Sequence, residues 1–471
     1  MSERLSRISW GAHGLLGAAL TLAIACSSDG GSGGPSQAGG SGKSGGSTGS
    51  PGGRSGSQGG SGGSGGASGA AGSGASAGAS GSAGSGSAGS GGQGAPDAGE
   101  SDAAAPDGGP NAPPVRGDVG APGFPGWRFT KAIKMDTSAA GADVGGNVDN
   151  YPVAVRLNGQ NFDFSQAKPQ GEDIRFGSAD GTPLPYELEH FDAAGKTAAF
   201  WILVPQVKGN DAAQSINMYW GNPAAGLADD SKKVFTATNG FVGVWHLDED
   251  GSAEANAYAD ASEGGNPGTG VNMMPGSRVD GAIGKGSKML NAMRQWIRVE
   301  DADGRFRPAQ LTASIWGLAD GYPARWGSGG SPGYQCIYSS GEAWTVQRET
   351  GGRFESCFNH VCAIGDAMPT KQWFHFVVRR SGGNHQLFMN GEQVAQSGVG
   401  TRNDFKPLGI GQMTQYLDPE RHVNERRSWE GILDEARVMK TAVDNNWIKL
   451  DYESQRPDSK FLVFGETQTR E

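Results

Sequence analysis

Few side-chain groupings in this chain have the types and spacing for chemistry. Acids gather at Glu172, Asp173, Glu187 and Glu189 beside His190, at Asp248–Glu249–Asp250, and at Asp434–Glu435. A two-carboxylate glycosidase needs its acids facing one another across a cleft about 5–10 Å wide. Glu187 and Glu189 lie two apart on one predicted strand and so share a face. That pattern reads as a solvated strand face, with Asp173 and Arg175 pairing at a turn. None of the seven histidines has a nucleophile-elbow partner, which argues against a Ser-His-Asp set. Cys336, Cys357 and Cys362 fall in the foldable part of the chain. Cys357 and Cys362, with four residues between them, would staple a hairpin across a tight turn. Cys336–Cys357 on neighbouring strands is the alternative, and one thiol is left over either way. His360 between the pair suggests zinc, but three soft ligands are too few.

These groups must be carried by strands. Gln372–Val394 (QWFHFVVRRSGGNHQLFMNGEQV) alternates, with Trp373, His375 and Val377 on one side and Phe374, Phe376 and Val378 on the other. Asn390–Gly391, which can take positive φ at both positions, is the strongest short-range hairpin signal. Such a meander needs a partner sheet. From residue 123 to 236, TKAIKM, YPVAVRL, DIRFGS, LPYELEHF, AAFWILV and SINMYWG are separated by turn residues at sandwich-like intervals. From 239 to 468 come FVGVWHLDE, LTASIWGL, the meander and GILDEARV, and Asp444–Gln455 reads as a short closing helix. The fold class is all-β, with two β-sandwich domains.

The first 122 residues concern address. Arg4 and Arg7 precede Gly14–Ile24, an apolar run too short to cross a bilayer but right for a secretory signal. It ends Leu22-Ala23-Ile24-Ala25-Cys26, which resembles a bacterial lipoprotein cleavage site. The resemblance implies a signal peptide over 1–25, lipid on Cys26, and an anchor at the outer membrane or cell surface. Residues 26–122, dominated by Gly, Ser and Ala, lack the large apolar side chains needed to offset ordering. They read as a disordered tether whose r.m.s. reach is on the order of 50 Å.

The folded part carries two further resemblances. Tyr151–Pro152–Val153, Phe162–Phe164, Gly171–Phe176, Leu184–Glu187 and Tyr219–Asn222 occur in an order similar to a bacterial domain of unknown function often found ahead of laminin-G-like modules. The motifs W-H-L-D, G-x-x-G-K-G, L-T-A-S-I-W, Q-W-F-H-F, L-F-M-N-G and G-I-L-D-E-A-R-V resemble a laminin-G-like, concanavalin A-like lectin domain. That likeness implies a two-sheet jelly roll. It also implies binding to a polysaccharide or glycosylated surface, and a structural calcium at Asp434, with Asp248 and Asp260 as lesser candidates. The hydrolases of this fold place three acids at alternate positions on one inner strand. Here Asp434 and Glu435 are adjacent, so they point to opposite faces, and no acid stands two residues from either.

Sugar contacts would come from exposed aromatics stacking on apolar sugar faces. Trp326 and Tyr334 in one Gly/Ser/Pro-rich loop and Tyr416 in another are the candidates, whereas Trp245, Trp316 and Trp373 alternate with aliphatics and read as core. The reading is a non-catalytic, surface-anchored glycan-binding or adhesion lipoprotein. Its alternatives are a polysaccharide hydrolase and a purely structural surface protein. A net charge of −10 without a basic stripe argues against nucleic acid.

Overall fold

A computed structural model describes residues 124–323, 333–341, 343–401, 406–416 and 427–470. The signal peptide, Cys26, the tether and Trp326 lie outside the described residues. The first sandwich opens with β1 (Phe129–Met135), β2 (Val148–Asn158), β3 (Arg175–Ser178), β4 (Tyr186–Asp192), β5 (Thr197–Val207) and β6 (Ser215–Trp220). Val153, Val155 and Leu157 of β2 and Phe200, Ile202 and Val204 of β5 are buried, and ten residue pairs join the two strands. A helical turn, α1 (Ser231–Val234), leads to the second sandwich.

There the strands are β7 (Phe241–Trp245), β8 (Gly268–Val271), β9 (Arg278–Asp280), β10 (Lys285–Met289), β11 (Trp296–Val299), β12 (Gln310–Ala319), β13 (Tyr334–Ser340), β14 (Trp344–Glu349), β15 (Arg353–Phe358), β16 (Val361–Ala367), β17 (Trp373–Ser381), β18 (Asn384–Met389), β19 (Glu392–Gly398), β20 (Leu408–Ile410) and β21 (Gly431–Met439). One sheet runs β19-β18-β17-β12-β21-β10-β9, with β7 also on β21, and the facing sheet runs β16-β15-β14-β13-β20-β11-β8. Trp245, Leu311, Ile315, Trp344, Phe376 and Trp429 fill the space between them. The meander forms as its residues dictate: Asn390 and Gly391 take φ of 51° and 83° and join β18 to β19.

The helix α2 (Asn445–Gln455) is capped by Asp444, whose side chain accepts from Trp447 N at 2.8 Å. Its Trp447, Ile448 and Leu450 join one apolar cluster that also takes in Val153 and Phe200 of the first sandwich and Val377 and Phe388 of the second. The chain then does something local patterning did not announce. β22 (Leu462–Phe464) and β23 (Gln468–Thr469) return to the first sandwich and pair antiparallel with β1. The expected boundary, with everything from 239 to 468 in the second domain, therefore gives way: the C-terminal strands complete the first sheet. One expected core tryptophan also moves, and another, Trp316, is buried on a different face from the one expected. Trp373 is only half-buried, and Trp316, though buried, faces α2, donating to Gln455 Oε1 at 2.8 Å and stacking on Tyr452. Trp245 does sit between the sheets.

Candidate functional site

The outer surface of β13–β16 forms a groove of about 200 Å³ whose lining includes Tyr334, Thr345, Gln347, Glu355, Gln415 and Arg427. Strand alternation brings them together. Gln347 on β14 pairs with Glu355 on β15, so both side chains rise from the same face, and Gln347 Nε2 donates to Glu355 Oε1 at 2.6 Å. Arg427 donates to Gln347 Oε1 at 3.4 Å and to Met413 Sδ at 3.0 Å, and its guanidinium lies 4.9 Å from the Tyr334 ring centroid. Burial raises the Glu355 carboxyl above its usual range, and burial likewise raises the Tyr334 phenol. Thr345 Oγ1 and Gln415 Oε1 are buried without a hydrogen-bond partner among the described residues.

Described residues of or beside both stretches singled out for their aromatics line this groove. Tyr334 follows the first, and the backbone there is fixed by Gly333 N donating to Thr350 Oγ1 at 2.6 Å. Gln415 lies in the second, over 412–424, and Arg427 follows it, with Arg427 O accepting from Cys336 N at 2.7 Å. Tyr416 closes the short helical turn Thr414–Tyr416 beside Gln415. The groove's edge is sealed by the Cys357–Cys362 disulfide, which joins directly paired residues of β15 and β16 with Cα atoms 4.0 Å apart. Cys336 is the leftover thiol, buried on β13.

A second constellation, not foreseen from sequence, is buried where the sandwiches meet. His246, just after β7, sits among carboxylates: Nδ1 is 2.7 Å from Glu435 Oε1 and 3.8 Å from Glu189 Oε2, and Nε2 is 3.2 Å from Glu187 Oε2. Arg437 donates to Glu435 Oε2 at 2.6 Å and to Asp451 Oδ1 at 3.3 Å, and Trp201 Nε1 donates to Glu189 Oε2 at 2.7 Å. The solvated face expected for Glu187 and Glu189 is instead an inter-sandwich contact, with the Glu189 side chain 1% exposed. Asp173 and Arg175 also part company. Asp173 accepts from the Lys168 and Gly221 amides, while Arg175 donates to three carbonyls and Tyr186 Oη.

Alternation failed here because both acids sit at β-bulges. Leu188 pairs with Phe200 and His190 with Ala199, leaving Glu189 as the extra residue. On β21, Ser314 pairs with Arg437 and Trp316 with Asp434, so Glu435 and Ala436 together oppose Ile315, and Glu435 takes φ of 53°. The legible trace was the G-x-x-G-K-G motif. A Cβ on Gly281 would lie 2.4 Å from Asp434 Oδ2, and one on Gly284 (φ 51°) 2.6 Å from Glu189 Oε1. The glycines are there because carboxylates press on that loop.

The electrostatics follow from burial. Burial and then the Glu435 charge push Glu189 up to about 8. Burial, Glu435 and Glu189 raise Asp434 well above the carboxylate range. Burial disfavours a charge on His246, but Glu435 and Glu187 outweigh it and raise its pKa well above the imidazole value. Against burial, His246 and Arg437 lower Glu435.

Asp434 Oδ1, where the resemblance implied calcium, is buried with no hydrogen-bond partner among the described residues. Asp434 Oδ2 accepts from Ile283 N at 2.8 Å. Asp260 spends its carboxylate on the amides of Val244, Ser262 and Asn266, and Asp248 pairs with Arg278 at 3.5 Å. The three acids are thus engaged separately and are not brought together.

Comparison with known proteins agrees with this architecture. Residues 170–248 match a domain of unknown function (DUF2341), and residues 292–449 match the concanavalin A-like lectin/glucanases superfamily. No curated protein matches the chain. Among solved structures, domain 4 of an extracellular GH43 arabinanase from Geobacillus stearothermophilus, in complex with arabinotriose, is 16% identical, with 46% of this chain and 98% of that one covered and a TM-score of 0.33. Trypanosoma rangeli sialidase in complex with the inhibitor DANA is 12% identical, with 57% and 43% covered and a TM-score of 0.36.

Proposed function

We propose that this chain is a surface-anchored, non-catalytic glycan-binding or adhesion lipoprotein, and that the β13–β16 groove holds the sugar. The observation carrying this reading is the groove's composition: an aromatic face at Tyr334 beside amide, carboxylate, hydroxyl and guanidinium groups, on a concanavalin A-like domain. Apolar stacking with a few convergent polar groups is what sugar rings and their hydroxyls require. Its described lining holds one carboxylate, Glu355, where hydrolysis by paired acids needs two. The lipid on Cys26 and the Gly/Ser tether would hold the groove away from an outer membrane. A glycan array probed with a Cys26→Ser form of the chain should give binding that Tyr334→Ala and Arg427→Ala abolish. Release of sugars from any bound polysaccharide would sink the non-catalytic reading. Adhesion to cells without glycan binding would favour a structural role. The anchor is checked by fractionation: the wild-type chain should partition with membranes and Cys26→Ser should not.

A further inference from the structure

We propose that Glu189, His246 and Glu435 form a buried transition-metal site, of the zinc class, that fastens the two sandwiches together. The donors come from separate elements: Glu189 from β4, His246 from the turn after β7, and Glu435 from β21. Their ligating atoms all lie within 4.8 Å of one another. A tetrahedral ion about 2.0–2.2 Å from each donor sets donors roughly 3.3–3.5 Å apart. The separations from His246 Nδ1, 2.7 Å to Glu435 and 3.8 Å to Glu189, bracket that spacing. One imidazole nitrogen with carboxylate oxygens suits zinc or cobalt and not calcium, which wants oxygen donors throughout.

Two further features point to an ion. Glu189 Oε1 is buried with no hydrogen-bond partner among the described residues, on a side chain only 1% exposed, which leaves it available as the second oxygen of a bidentate carboxylate. Each ligand is also held by an outer partner, as ligands of metal sites are: His246 Nε2 by Glu187, Glu435 Oε2 by Arg437, and Glu189 Oε2 by Trp201. The ion would replace the proton shared by His246 Nδ1 and Glu435, which leaves to water, and no electrons move. With donors from both sandwiches buried at their contact, the ion enters as the two close and thereafter exchanges slowly.

The test uses the Cys26→Ser chain with its disulfide intact, purified from zinc-supplemented culture and desalted. Elemental analysis should find close to one zinc per chain, and X-ray absorption should show a nitrogen/oxygen shell without sulfur. Far less than one zinc per chain overturns the proposal. So does a sulfur-containing shell, which would place the metal at Cys357 and Cys362 instead. Glu189→Gln, which removes a ligating carboxylate, should weaken zinc retention by at least the roughly ten- to hundred-fold that loss of an outer partner costs, while leaving groove binding intact. Full zinc in that variant would equally refute the site, and because the wild-type measurement stands alone, failure of the variant to fold does not rescue it.

Discussion

Asp451 shows how much one buried carboxylate can organise. From α2 it reaches Arg437 Nη1 at 3.3 Å, His375 Nε2 at 3.1 Å and Tyr151 Oη at 3.2 Å, so one side chain touches both sandwiches. Burial opposes its charge, but the hydrogen bond and charge of His375, then Arg437, hold its pKa below the usual value. A depressed carboxylate pKa contributes stability above the ordinary carboxylate pKa, and that contribution is lost as pH falls through the folded value. Asp451→Asn should therefore destabilise the chain by about 3–5 kcal/mol near neutral pH. Urea titrations at several pH values should also show a shallower acid-side loss than in wild type. Gly281→Ala tests the opposite situation, a residue needed for what it lacks. Its Cβ would meet Asp434 Oδ2 at 2.4 Å and the Lys285 backbone at 2.8 Å, so a loss of about 1–3 kcal/mol is expected by thermal denaturation. The glycine motif was legible in the sequence; its cause was not, because Asp434 and Glu189 reach that loop from strands far away in the chain, and Glu189 is aimed by a bulge that leaves no mark on an alternating pattern.

At the level of elements, the strands were legible because they carry their own signals: alternation in Leu311–Leu318 and Gln372–Val394, and an Asn-Gly turn. What no signal carried was which loops meet, since sheet order is set by long-range pairing. The β15–β16 hairpin makes this concrete. Its disulfide was one of two pairings open from spacing, and the register Cys357↔Cys362 decides it. Closing so short a loop contributes about 2 kcal/mol by chain entropy. Replacing both cysteines by serine should lower stability by that order and loosen the groove edge, seen as weaker glycan binding with little change in far-UV circular dichroism. Cys336 should not substitute as a partner. It is fully buried and burial pushes its thiol up to about 12, so alkylation of the native chain should leave it unmodified until denaturant is added.

For the whole molecule, the decisive feature is that the first sandwich is finished by the end of the chain. Phe461 is fully buried in the cluster shared by both sandwiches, and its carbonyl accepts from Asp136 N at 2.7 Å. Ile133–Met135 pair with Leu462–Phe464, and Arg470 adds a backbone bond to Arg128 and a side-chain bond to Phe124 O, both 2.7 Å. Strands of three and two residues are too short to stand out in sequence, and their partner lies more than three hundred residues away. Local patterning could not have joined them. Deleting residues 457–471 would strip β1 of one neighbour and leave an open edge beside the space Phe461 filled. Losing that one phenylalanine removes about 1.5–3 kcal/mol of burial, before the strand pairing is counted. The full chain, with a continuous apolar cluster and a buried charge network across its sandwiches, should unfold in urea as one transition by tryptophan fluorescence and circular dichroism. The deletion should split it, with the first sandwich, reported by Trp201 and Trp220, melting ahead of the second. An unchanged single transition would mean that the returning strands merely rest on a domain already complete without them.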